Sequence, residues 1–275
     1  MLPSIPDLPP ELRRAAAMVL AESDPARKCR MAAALRVESS GKARLITPAW
    51  IGVAPDQPGR PVRPQLVHPA RVPKRGLGTP AGRAALLHAL CHIEFNAVNL
   101  ALDAIVRFAG LPETFYLDWL QVAEEEARHF TLLIMRLADL GHRYGDFAAH
   151  DGLWEAAYKT RHDVLARMAL VPRVLEARGL DVTPGLQARL ERVGDPESAA
   201  ILDVLLRDEI GHVAIGNRWF TRFCADRGLA PEDTFRALCV EHGVKWPQPP
   251  FNLDARRRAG FDEQALDRLI AGTGS

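Results

Sequence analysis

Two stretches of the chain carry the same four-residue pattern, Glu126-x-x-His129 and Glu209-x-x-His212. On a helix, residues at i and i+3 lie about 60° apart around the axis and about 4.5 Å along it. A carboxylate and an imidazole at that spacing can reach one metal ion. Each pattern has a glutamate upstream at nearly the same distance: Glu94 precedes Glu126 by 32 residues, and Glu176 precedes Glu209 by 33. Together these residues supply four carboxylates and two imidazoles, the ligand set of di-iron and di-manganese helical bundles. Four carboxylates balance two divalent cations, and a buried place favours that neutrality. Carboxylate and imidazole suit iron and manganese alike. The expected cofactors are therefore two Fe ions, with two Mn ions or a mixed Fe/Mn pair as alternatives.

The neighbours of these residues say they are buried. Glu126 and His129 share a helical stripe with Trp119, Val122, Ala123, Phe130, Leu133 and Leu137. Glu209 and His212 share one with Leu202, Leu205, Leu206, Val213 and Phe220. Glu94 sits among Leu87, Leu90, Cys91, Ala97, Val98, Ala101 and Ile105. Such faces should bury, and an unpaired carboxylate there would be costly. Glu176 has a less apolar setting, with Pro172 and Arg173 close by. Arg173 offers it a surface salt bridge as the alternative to a metal, and Asp163 and Glu155 are its rivals as fourth carboxylate. A metal-bound histidine usually donates its other N–H to a carboxylate. Asp208 could serve His129 in this way and Glu125 could serve His212, unless Glu125 is simply solvated. His88 and His92 are read as core or rim histidines. None of Tyr116, Tyr144 and Tyr158 lies within a helical turn of a ligand, so no tyrosyl radical is suggested. Gly216, on the same face as Glu209, leaves room for a substrate.

Helices must position these groups. Periodicity predicts helices over 80–109 and 113–140, closed by Gly110 and Gly141. A loop follows over 141–152. A third helix should run from 153 to at least 177 and be kinked by Pro172. Residues 178–181 should break it, and Thr183-Pro184 should start a further piece to 192. Gly194-Asp195-Pro196 should open a fourth long helix to 226. Shorter helices are expected over 8–38, with a stop at 23–25, and over 231–242 and 262–271. No strand is expected. The fold class is all-α, a four-helix bundle over 80–226. An N-terminal segment, 1–79, packs on it, and a C-terminal extension covers 227–275.

Composition constrains the rest. The chain has 275 residues, 35 basic against 34 acidic, and 48% apolar side chains. That balance is the balance of a globular chain and not of a disordered one, and nothing in the net charge of +1 demands nucleic acid or an anionic membrane. The basic residues are unevenly placed. Between 41 and 85 stand eight Lys or Arg and the single acid Asp56, along with eight of the 21 prolines. This arm reads as a belt along the surface, or as a basic arm that steers substrate. The N-terminus shows no signal peptide, and no apolar run approaches a membrane span. The four scattered cysteines should be reduced thiols of a cytoplasmic protein.

The segments HIEFNAVNLALD, DWLQVAEEEARHF, GDFAAHDGLWE, MALVPRVLEARGLDVTPG and LRDEIGHVAIGNRWF closely resemble a bacterial ferritin-like family, domain of unknown function four-five-five. The resemblance covers about 10 to 240. It implies a ferritin-like four-helix bundle over 80–226 with a di-metal site at Glu94, Glu126, His129, Glu176, Glu209 and His212. The ligand pattern and helix order are also similar to di-iron hydroxylases of a modified tRNA base. Asn99 departs from the pattern, standing where a glutamate is expected in relatives.

The expected activity is that of an O₂-activating oxidoreductase or hydroxylase. Glu126 and Glu209 would bridge the ions, Glu94 and Glu176 would be terminal ligands, and each histidine would give one nitrogen. O₂, an electron donor and a small or RNA-linked substrate would be its partners, and it would be a monomer or homodimer with no membrane contact. The alternative is a non-catalytic metal-binding protein, or an iron-oxidising and storage protein of ferritin-like type. No catalytic residue beyond the ligands is assigned.

Overall fold

The computed structural model describes residues 6–41, 52, 55–73 and 75–272. Among them the regular structure is helical and no strand forms; an isolated bridge joins Leu66 to Ala149. The protein is all-α. It divides into two compact units, Met1–Trp154 and Glu155–Ser275.

In the first unit, α1 (Leu12–Ala21) and α2 (Pro25–Gly41) precede the hairpin of α3 (Pro80–Arg107) and α4 (Glu113–Asp139). Local chemistry sets the ends of α3. The Thr79 hydroxyl accepts from the Gly82 amide, and Pro80 fills the first turn, where no N–H is needed. At the other end, buried Arg13 of α1 donates to the carbonyls of Ile105 and Val106 at 3.1 and 2.9 Å. A cation there also meets the negative end of the helix dipole. The turn into α4 is pinned by the Tyr116 hydroxyl, which donates to Phe108 O and accepts from Leu111 N. Gly110 and Gly141 both take positive φ, 71° and 77°, as helix-ending glycines should.

α3 passes the length and apolarity test for a membrane span, yet 83% of its most apolar window is buried within the protein. It is a core helix. The Pro-rich arm is tied down beside it where it is described. Lys28 donates to Gly59 O, Arg107 donates to Pro55 O, and Arg60 pairs with Asp151. Gly59 passes so close to α1 that a Cβ would lie 2.2 Å from Ala21 O. Residues 42–51, 53, 54 and 74 of the arm lie outside the described residues.

Helix α5 (Gly152–Lys159) leads into the second unit. There the segment expected as one long helix is built differently. α5 stops at Lys159, and Asp163 caps a new helix, α6 (Val164–Leu170), by accepting from the Leu165 amide. A π-helical turn, Val171–Glu176, follows and accommodates the missing N–H of Pro172. α7 (Ala177–Arg192) then runs unbroken through Gly179 and Pro184. The expected break at 178–181 and the fresh start at Thr183-Pro184 do not occur. A proline inside a helix leaves the carbonyl four residues back without its N–H. Here that carbonyl is Leu180 O, and the Asn252 side chain donates to it at 3.3 Å. A tertiary contact replaces the lost bond.

α8 (Pro196–Asp226) packs along α7, with Asp195 accepting from Ser198 N at its start. Then come α9 (Pro231–Glu241), α10 (Leu253–Arg258) and α11 (Glu263–Ala271). α10 was not expected from sequence. Its six residues include three consecutive arginines and show no apolar period, and it is fixed by an Asn252 cap. Ala177, Leu180, Ile210, Val213, Ala255, Phe261 and Leu266 form the core of this unit. Within it Arg256 and Asp181 make a fully buried ion pair at 2.7 Å.

Candidate metal centre

The α3–α4 hairpin brings three of the expected residues together. Glu94 comes from the middle of α3, and Glu126 and His129 come from the facing turn of α4. All three are buried, and one ligand atom from each lies within 4.8 Å of the others. His129 Nδ1 is 3.2 Å from Glu126 Oε2 and 3.4 Å from Glu94 Oε2. The antiparallel hairpin explains the meeting, because both glutamates stand at similar distances from the turn.

The electrostatics are those of a crowded acid pair. Burial, and then the charge of Glu126 beside it, raises Glu94 well above the usual carboxylate range. Burial alone would lower His129, but hydrogen bonds to Glu126 and Glu94 overcome it and push the imidazole up to about 11. The cluster thus holds protons against two acids. A divalent cation offers the same compensation and would release those protons. Two carboxylates and one imidazole nitrogen within 4.8 Å of one another are a donor set that fits iron or manganese.

The second unit carries the corresponding turn of α8. His212 is fully buried, and its Nδ1 lies 3.2 Å from Glu209 Oε2. Glu176 ends the π-helical turn and is half-buried. Gly179, one turn further, faces Glu209: a Cβ there would lie 3.7 Å from Glu209 Cγ. Arg173 does not behave as the surface partner of Glu176. It is buried, pairs with Glu232 at 2.7 Å, and lies over the rings of Phe220, Phe235 and Phe261. The rivals of Glu176 are otherwise engaged. Asp163 caps α6 and pairs with Arg227 at 2.8 Å, while Glu155 is exposed. Glu125 accepts from Gln121 and Asp208 accepts from Arg207.

Gly216 has a different role from the one expected. A Cβ there would stand 2.1 Å from Pro172 Cβ, so its space is filled by the π-helical turn and not by a substrate. His88 and His92 are hydrogen-bonded core histidines. Gly145 N donates to His88 Nε2 at 2.9 Å. His92 Nε2 faces the carbonyl of His150 at 3.0 Å, which requires the proton on that nitrogen, and the Tyr144 hydroxyl then donates to Nδ1 at 2.8 Å. Tyr144 also packs on Phe95 and Phe130, each one residue from a candidate ligand. Helical spacing could not find this neighbour, because Tyr144 arrives from the loop after α4.

These features define a class: an all-helical protein with carboxylate–imidazole groups, buried or half-buried, on paired helices. A family model for a protein of unknown function, DUF455, matches residues 21–267, and the chain belongs to that family. A Haemophilus influenzae protein described only as uncharacterized is 50% identical over 214 residues, which span 75% of this chain and 74% of its own. No solved structure matches the chain.

Proposed function

We propose that the protein is a di-metal carboxylate oxidoreductase of ferritin-like, four-helix type that uses O₂. Glu94, Glu126 and His129 would join Glu176, Glu209 and His212 to hold two iron ions, with manganese as the alternative. One observation carries this reading: two E-x-x-H turns, one buried and one with a buried imidazole and a half-buried glutamate, repeat the same Nδ1-to-Oε2 distance of 3.2 Å, one in each unit. A structural ion pair would explain one such turn but gives no reason for the repeat. When bound, the metal pair supplies electrons to O₂.

The chain's own residues supply the surroundings. Trp119, Phe130, Leu205 and Val213 are buried apolar groups on the ligand faces and exclude water. Asp208 and Glu125 are proposed to orient the two imidazoles. The partners that follow are O₂, an electron donor and an organic substrate.

The test uses purified full-length protein. We expect about two iron or manganese ions per chain after reconstitution, and O₂ uptake when the ferrous form is mixed with oxygen. Glu126→Gln and Glu209→Gln should each lose bound metal while keeping the helical circular dichroism. A chain that stays metal-free, or a ferrous form inert to O₂, sinks the proposal. A large cage-like particle on size exclusion would point to storage in its place.

A further inference from the structure

Helix α3 is buried on two faces that differ in kind. Glu94 stands on one. His88, His92, Asn96, Asn99 and Asp103 stand on the other, within about 80° of one another around the axis, and all five are buried. This second polar stripe belongs to no part of the proposed metal centre.

The groups packed against it close a circuit. Lys28 Nζ donates to Asn99 Oδ1 at 2.5 Å and to Gly59 O at 2.7 Å. Arg60, next in the chain, donates from Nη1 to Asp151 Oδ2 at 2.6 Å. His150, beside Asp151, accepts from His92 through its carbonyl. The His92 carbonyl accepts from Asn96 Nδ2 at 2.9 Å. Asn96 and Asn99 are one helical turn apart, and the circuit is complete. The Arg60 charge adds to burial in lowering both Lys28 and His92.

Five polar atoms on this circuit are buried and meet no protein partner: Arg60 Nε and Nη2, Asn99 Nδ2, Asn96 Oδ1 and Asp151 Oδ1. Each such atom costs about 1–3 kcal/mol if left alone, and native proteins hold only about a few per hundred residues. The mixture of donors and acceptors selects the guest. An anion would suit Arg60 and Asn99 but would face two oxygens with no proton between them. A metal cation would suit those oxygens and be repelled by Arg60. A molecule that both donates and accepts answers all five. A buried water makes about three hydrogen bonds, so one molecule is too few and two suffice.

We propose that this circuit is a built hydration site, holding at least two ordered waters that bridge Arg60 and Asp151 to Asn96 and Asn99. The waters complete a latch that fastens the Pro-rich arm and the 141–152 loop to α3. Crystals of the full chain grown in bromide provide the test, at a resolution that shows waters. The expected result is two or more peaks within hydrogen-bond distance of Arg60 and Asp151, without bromide anomalous signal. A bromide peak would replace water by an anion and overturn the proposal, as would featureless density. In solution, oxygen-17 relaxation dispersion should report long-lived waters in the parent chain. Their number should fall in Asn96→Leu that keeps its helical signal, and an unchanged number overturns the assignment.

Discussion

His88 is 1% exposed, and its Nε2 accepts from the Gly145 amide. Burial, and then the neighbouring His92, lowers its pKa from 6.5 to about 4. Between those two values the unfolded chain binds a proton that the folded chain refuses. The contribution is complete above pH 6.5 and is lost as pH falls toward 4, an interval worth about 3 kcal/mol. Burial lowers His92 to about 4 as well, so urea unfolding at a series of pH values should show both contributions, and His88→Gln should reduce the slope by about half. An identical slope in the variant would place the titration elsewhere. Lys28 offers a second measurement. Its ammonium serves the carbonyls of Leu20 and Gly59 and the amide oxygen of Asn99. Lys28→Met strands three buried acceptors and should cost on the order of 3 kcal/mol in unfolding free energy. A change below about 1 kcal/mol would mean that solvent replaces the amine.

The π-helical turn and α8 meet where Gly216 accepts Pro172, and no larger residue fits there. Gly216→Ala forces the two elements apart. We expect a loss of about 2 kcal/mol or more by overpacking, seen as a lower denaturation midpoint, whereas a neutral result would show that the turn can shift. The same region marks where sequence reading stops. Helices α3, α4 and α8 were legible because Gly110, Gly141 and Gly194-Asp195-Pro196 signal their ends in the chain itself. Residues 153–192 were not, because Pro184 is tolerated through Asn252, some 70 residues away, which no local rule can register. The candidate metal residues divide along the same line. Glu94, Glu126 and His129 could be brought together from helical spacing and the hairpin turn. The polar stripe on the far side of α3 could not be, since its partners are the Lys28 amine, a backbone carbonyl at His150 and a loop tyrosine at 144.

Each of the two units has its own core and its own E-x-x-H turn, so stability and metal affinity should be linked at the level of the chain. Ligand that binds only the folded form stabilises it by about 2.7 kcal/mol at a hundred times its dissociation constant. Ferrous or manganous ion should therefore raise the melting temperature, and a chelator should reverse the rise. A melting curve indifferent to both would count against a folded metal site. The second unit can be probed apart from metal. Asp181→Ala leaves Arg256 charged and buried, and losses of about 3–5 kcal/mol are usual for one half of such a pair. Chemical denaturation of the metal-free chain reads this directly, and a loss under about 1 kcal/mol would show that Arg256 finds water.

From Glu94 to Val106 every residue of α3 is buried, thirteen in succession. Most helices keep one face on which change is free, and mutations collect there. This stretch has none. A saturation library across it, selected for soluble protein, should return few survivors at any position. Ile93, exposed just before it, should accept most residues. Over evolutionary time the segment should drift more slowly than the charged helices around it, whatever chemistry the protein performs.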